Sequence, residues 1–165
     1  MYKQPFLKDQ FLTLIANNQG IIFKVCNMYC NNKEDKEDLF QDIVLQLWRS
    51  FPAFKGDSKV STWMYRIAIN NAITRLRKET RKEKFTGLDD EAFLIAAADH
   101  TPDENIAKMY EAIKKLSEVE RAITMLYMDD YSYKEMAEIL GLSESNVGFK
   151  LNKIRTRLRT LVNIG

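Results

Sequence analysis

Between Ser143 and Arg159 the chain gathers side chains that can hydrogen-bond the edge of a base or neutralise a phosphate. Ser145, Asn146, Phe149, Lys150 and Lys153 come first, then Arg155, Arg157 and Arg159, with no acid after Glu144. Val147, Leu151, Ile154, Leu158 and Leu161 recur at spacings of four, three, four and three, which sets a buried stripe and turns the polar set outward. A helix of this kind can lay its first two turns in a major groove, polar groups to bases and cations to phosphates. Charge alone does not settle the matter, because a solvated cationic helix end also complements the helix dipole. The preceding residues add a second signal. Leu140-Gly141-Leu142 supplies the glycine that most easily adopts a left-handed conformation past a helix end, Ser143 can cap the next helix, and Ala137 is small enough for close packing. Together they match a helix-turn-helix.

A second constellation lies in the first half. From Ser61 to Lys84 an apolar stripe of Tyr65, Ala68, Ile69, Ala72, Ile73 and Leu76 leaves Trp63, Arg66, Asn70, Thr74, Arg77 and Arg81 on the opposite face. An indole beside cations can stack on an unpaired base for about 1 to 3 kcal/mol while arginines neutralise phosphates. The alternative is an aromatic that caps the core. Upstream, "FPAFKGDSKVS" holds proline, glycine and short polar residues and must be irregular backbone. Earlier still, Leu39, Ile43, Leu47 and Phe51 form a buried set, leaving Asp38, Gln41, Asp42, Leu45, Gln46 and Arg49 on another stripe.

Other chemistry finds little support. The chain has 1 histidine, His100, and 2 cysteines, Cys26 and Cys30, four apart in an apolar helical pattern. That is no zinc set, and the thiols read as small core side chains. "GDSKVST" lacks the second glycine and the residue order of a phosphate loop, and there are no paired buried carboxylates. No catalytic set, metal, cofactor or small-molecule substrate is expected. The N-terminus carries Lys8 and Asp9 where a secretory signal needs an apolar run, and "AFLIAAA" is too short to span a bilayer, so a cytoplasmic protein without membrane insertion is expected.

The elements that position these residues are all helical, since apolar spacing of three and four recurs without strand-like alternation. Helices are expected at about residues 5–30, 35–52, 61–84, 102–116, 118–129, 132–140 and 144–162. Thr101, Ser117 and Ser132 each stand three residues before a carboxylate, the pattern of a capping box. With 165 residues, 45% of them apolar, the chain can build one domain or two small ones. Its net charge of +2 hides a sharp partition. Residues 61–84 carry Arg66, Arg75, Arg77, Lys78, Arg81, Lys82 and Lys84 against Glu79 and Glu83. From Phe85 to Ala107 there is no Lys or Arg, only Asp89, Asp90, Glu91, Asp99, Asp103 and Glu104. The boundary divides an N-terminal helical domain (1–85), an acidic linker (86–106) and a C-terminal helix-turn-helix domain (107–165).

The run "LSEVERAITMLYMDDYSYKEMAEILGLSESNVGFKLNKIRTRLRTL" resembles the C-terminal DNA-binding region of bacterial sigma factors of the extracytoplasmic-function (ECF) type, in the sigma-70 family. "DLFQDIVLQLWRSFPAFKGDSKVSTWMYRIAINNAITRLRK" resembles the polymerase-binding and promoter-opening region of the same family, in the family's order. The resemblance implies core RNA polymerase and promoter DNA as partners and an anti-sigma factor as a further one. It assigns Asp38, Gln41, Asp42, Leu45, Gln46 and Arg49 to the polymerase. Lys55, Gly56, Asp57, Ser58 and Lys59, in a loop that in related proteins holds a flipped base, go to the proximal promoter element with Trp63, Arg66, Asn70 and Arg77. Ser143, Ser145, Asn146, Phe149, Lys150, Lys153 and Arg157 go to the distal element. Gly148 departs from the pattern, standing where the family often has lysine or arginine.

Two other classes fit the residues less fully. A helix-turn-helix regulator acting alone, its first half a dimerisation or sensing module, would bind duplex DNA tightly without polymerase. An adaptor would bind proteins only. The acidic linker reads as a tether, or by resemblance as a segment threading toward the path of the transcript.

Overall fold

The computed structural model describes the backbone of residues 3–86 and 104–162 and the side chains of residues 6–81 and 104–162. Among the described residues there are eight α-helices and no strand, as the spacing predicts. The Thr101 cap and most of the acidic stretch lie outside them. The chain divides into two compact units, Met1–Thr74 and Arg75–Gly165.

The first unit holds α1 (Lys3–Asn17), α2 (Gln19–Tyr29), α3 (Lys33–Ser50), a 3-10 turn (Phe51–Ala53) and the first half of α4 (Val60–Thr86). The single helix expected over residues 5–30 is two helices, broken at Asn18, whose φ of −129° and ψ of 20° leave the helical region. The Asn18 amide Nδ2 donates to the Leu14 carbonyl at 2.9 Å and competes for a backbone acceptor. Asn17, Asn18 and Gly20 are also weak helix formers within four residues. At α3, Asn32 accepts from the Asp35 amide at 2.8 Å and donates Nδ2 to the Asp35 carboxylate at 2.8 Å, while Glu34 and Asp35 complement the positive end of the helix dipole. Phe11, Ile22, Val25, Leu39, Ile43, Leu47, Met64, Tyr65, Ala68, Ile69 and Ala72 form the core. Full burial of each large aliphatic member contributes about 1.5 to 3 kcal/mol. Phe51, Ile73 and Leu76, expected in the core, are only half-buried. Cys26 and Cys30 are buried free thiols.

The second unit adds α5 (Glu104–Lys114), α6 (Glu118–Met128), α7 (Tyr133–Leu140) and α8 (Glu144–Val162). Ser117 with Glu120 and Ser132 with Glu135 form complete capping boxes at α6 and α7. Arg121 donates to the carbonyls of Lys114 and Leu116 and so satisfies the C-terminal end of α5. Ile113, Leu116, Ala122, Ile123, Leu126, Met136, Ile139, Val147, Leu151 and Ile154 are buried together, and Leu158 and Leu161, at the end of the expected stripe, are half-buried.

Candidate nucleic-acid and polymerase interface

Gly141 ends α7 with φ 67° and ψ 35°, the left-handed conformation that a side chain resists. The Leu142 amide then donates back to the Ala137 carbonyl at 3.1 Å, and Ser143 Oγ accepts from the Asn146 amide at 3.1 Å to start α8. Ser143 is thus a cap, with Ser145 Oγ 3.3 Å from its hydroxyl. Because Val147, Leu151 and Ile154 face the core, Ser145, Phe149 and Lys153 are exposed, while Asn146 and Lys150 are half-buried. Phe149 is 59% exposed, and the Lys153 ammonium sits 4.9 Å from the centroid of its ring.

Two arginines of α8 are committed within the unit. Arg155 lies over the Tyr127 ring at 5.1 Å and donates Nη2 to the Tyr127 hydroxyl at 2.8 Å. Arg157 places Nη1 3.5 Å from Glu120 Oε1 and donates Nη2 to the Lys115 carbonyl at 3.3 Å, so part of its guanidinium braces the α5–α6 junction. Burial pushes the Glu120 carboxyl up, but hydrogen bonds from Ser117 and the charges of Arg157 and Lys150 outweigh it and leave the group below its ordinary range. Lys150, Lys153, Arg157, Ser117, Glu120 and Phe149 share the walls of one hollow between α6 and α8. Gly148 faces Tyr133: a Cβ there would stand 3.4 Å from Cε2 of that ring.

In the first unit the loop between Phe54 and Val60 turns at Gly56, with φ 79°. Lys55, Gly56, Asp57 and Lys59 are exposed and Ser58 is half-buried. The base of this loop is held by an aromatic stack, Phe54 against Trp63, with ring centroids 4.6 Å apart and planes 26° apart. Phe51 approaches the same indole at 6.3 Å, and Phe11 links Phe51 to Trp48. One face of Trp63 is therefore occupied, and the side chain is half-buried. Sequence reasoning missed this stack, although Phe54 lies just before the loop. Arg66 and Asn70 continue the exposed face of α4. Arg77 falls in the second unit, where Nε donates to Glu118 Oε1 at 2.7 Å. That hydrogen bond is the largest influence holding the Glu118 carboxyl below its ordinary range.

On α3, Asp38, Gln41, Asp42, Leu45, Gln46 and Arg49 are all exposed, opposite Leu39, Ile43 and Leu47. Leu45 does more than interrupt a polar stripe. With Gln41 it edges a 570 Å³ groove between α1 and α3 lined by Phe11, Leu12, Phe40, Val44 and Trp48. Phe11, Leu12, Phe40, Val44 and Trp48 were not singled out from the sequence, though the apolar series Phe40, Val44 and Trp48, four apart, carried the signal.

Among the described residues no cluster of three or more His, Cys, Asp or Glu could hold a metal, and no helix is long and apolar enough to cross a membrane. A left-handed helix-turn-helix junction before an exposed polar and cationic helix, with acidic and aromatic-cationic helix faces elsewhere in the chain, defines a DNA-binding helical protein equipped for a protein partner. The sigma-70 region 2 family matches residues 14–82 and the sigma-70 region 4 family residues 106–158, together most of the chain. The chain is 28% identical over 154 residues to the ECF RNA polymerase sigma factor SigM of Mycobacterium tuberculosis, covering 92% of this chain and 76% of that protein. It is 27% identical over 168 residues to the ECF RNA polymerase sigma factor SigW of Bacillus subtilis, covering 92% and 88%. Its fold is similar to that of the sigma factor RpoE from Bartonella quintana, solved with the anti-sigma factor NepR, at TM-score 0.68 and 20% identity over 95% of this chain and 96% of that one. The structure of CnrH with the cytosolic domain of CnrY gives TM-score 0.68 and 21% identity, over 95% and 90%. The chain belongs to the sigma-70 family as a sigma factor of the ECF type, and it directs promoter-specific transcription initiation with RNA polymerase.

Proposed function

We propose that the labour is divided along the chain: residues 1–85 bind core polymerase and recognise and open the proximal element, residues 86–106 link, and residues 107–165 hold the distal element. The observation that carries this reading is the α3 surface, where Asp38, Gln41, Asp42, Gln46 and Arg49 are exposed on the helix whose Leu45 edges an apolar groove. An apolar anchor inside a polar rim suits a protein partner, and the family match of residues 14–82 supports core polymerase as that partner in place of a second copy of a lone regulator. The loop Lys55, Gly56, Asp57, Ser58 and Lys59 receives a base from an opened strand, and the Phe54–Trp63 stack fixes its base; the uncovered part of the indole, Arg66 and Asn70 take the unpaired strand. Arg77, in the second unit, contacts the promoter by exchanging Glu118 for a phosphate. In the second unit Ser145, Asn146 and Phe149 face bases, Lys150 and Lys153 face phosphates, Ser143 contacts DNA from the cap of α8, and Arg157 holds α8 on the α5–α6 junction beside the backbone.

The protein acts in the cytoplasm, without catalysis of its own or a cofactor, and an anti-sigma partner sequesters it. The last point is supported by the similar structure of RpoE, solved with the anti-sigma factor NepR. The test is reconstitution with core polymerase and promoter DNA, mapping unpaired bases chemically. Specific protection and melting are expected only with polymerase present. Tight operator binding by the protein alone would instead favour an independent regulator.

A further inference from the structure

The groove-facing surface of α8 contains one large apolar group where cations are expected. Val147, Leu151 and Ile154 are buried at 0%, 2% and 2% exposure, and Phe149, half a turn round the helix from them, is 59% exposed. The position before it, Gly148, offers no side chain, and the Tyr133 ring lies 3.4 Å from where a Cβ would stand. Phe149 is therefore the first large side chain beyond Ser145 and Asn146 that the helix presents outward. The Lys153 ammonium lies over its ring at 4.9 Å. On its own helix the neighbours of Phe149 are Ser145, Asn152 and Lys153, all exposed, and it shares a hollow with Lys150, Lys153 and Arg157 in which the one acid, Glu120, lies 3.5 Å from Arg157. A cationic, hydrogen-bonding rim around a phenyl ring suits a polyanion that offers an apolar spot. Among base edges in the major groove, the C5-methyl of thymine is that spot.

We infer that Phe149 is a specificity-determining residue that reads a thymine in the distal promoter element through the thymine methyl group, with Lys153 positioning the ring. This rests on the assignment of α8 to the distal element. It replaces the hydrogen-bonded readout that a cation at position 148 would provide with an apolar readout one residue further on.

The experiment removes the methyl group alone. Each thymine of the distal element, on either strand, is replaced singly by deoxyuridine, and binding of the reconstituted holoenzyme is measured. One position is expected at which the wild-type factor binds about three- to fivefold more weakly, the value of one buried methyl group. In Phe149→Ala that position loses its sensitivity, and 5-methylcytosine placed there is preferred to cytosine by the wild-type factor only. No methyl-sensitive position for the wild type, or a sensitivity that persists in Phe149→Ala, overturns the inference. Lys150→Ala, assayed in parallel, separates the two levels. If it weakens binding on every template while no methyl is sensed, α8 is at the DNA and only the thymine readout fails. If neither variant alters binding, the assignment of α8 fails and the inference with it.

Discussion

Two glycines seven residues apart in the helix-turn-helix should respond oppositely to the same added methyl group. Gly141 has φ 67° and nothing within 4 Å of an added Cβ, so Gly141→Ala meets no steric neighbour and its cost is purely in the backbone. A left-handed L residue costs about 1 to 2 kcal/mol, offset by roughly 0.4 to 1 kcal/mol from the less flexible unfolded chain. The net expectation is a loss on the order of 1 kcal/mol. Gly148 lies inside α8, and an added Cβ would meet Tyr133 Cε2 at 3.4 Å and Cδ2 at 3.8 Å, ordinary contact distances. There the entropy of glycine in a helix is relieved, and Gly148→Ala should gain about 0.5 to 1 kcal/mol. With a urea dependence of about 1 to 3 kcal/mol per molar, the two midpoints should move by several tenths of a molar in opposite directions. Far-UV circular dichroism in urea, with hydrogen exchange at the amides of α7 and α8 to confine the effect to the second unit, is the assay. The reasoning is refuted if Gly141→Ala is neutral or stabilising, or if Gly148→Ala destabilises.

Further expectations follow from the sites. Replacing Asp38, Gln41 and Asp42 with alanine should weaken core polymerase binding in a pull-down while the circular dichroism spectrum is unchanged, since all three are exposed. Lys153→Ala should lower the slope of log affinity against log salt by about one unit if its ammonium meets a phosphate, read by titrating holoenzyme binding across salt concentrations. Trp63→Ala should reduce chemical reactivity of the melted bases more than duplex binding, and Phe54→Ala should reproduce part of that loss by freeing the loop; equal loss of both activities would assign Trp63 to the core alone. Acidification gives a signed test. Glu118 and Glu120 are held below the ordinary value of 4.5, so the unfolded chain takes up protons first as pH falls. Their contribution to stability is complete well above pH 4.5 and is lost as pH falls through the lowered values. A Glu120→Gln variant, which keeps a capping partner but no charge, should show a flatter dependence of the denaturation midpoint on pH in that acid window.

The helix-turn-helix was the most legible part of the chain because each of its signals is local. The capping hydroxyl of Ser132 with Glu135, the left-handed Gly141 and the stripe of Val147, Leu151 and Ile154 depend on neighbours within a turn or two. The break at Asn18 was masked by continuous apolar spacing on either side, although the weak helix formers Asn17, Asn18 and Gly20 stand there and the Asn18 side chain competes for the Leu14 carbonyl. Partners distant in sequence were harder still. Nothing in the spacing of α8 announces that Arg157 reaches the Lys115 carbonyl or that Arg155 stacks on Tyr127, because those pairings depend on how α5, α6 and α8 pack. The same holds for Phe54 and Trp63, whose contact requires the intervening loop to fold back. Counting cations therefore overstated the number free for phosphate, while the outward set of Ser145, Phe149 and Lys153 followed directly from the buried stripe.

Cys26 and Cys30 are the chain's 2 cysteines, and both lie shielded in the first unit. Cys26 is 2% exposed and Cys30, at the C-cap of α2, 8%, so a maleimide dye couples mainly when their surroundings open and the rate of adduct formation follows opening in that unit. Under the proposed docking of the N-terminal bundle on core enzyme, slower coupling on adding that enzyme would measure, without any engineered label, how firmly the bundle is held shut.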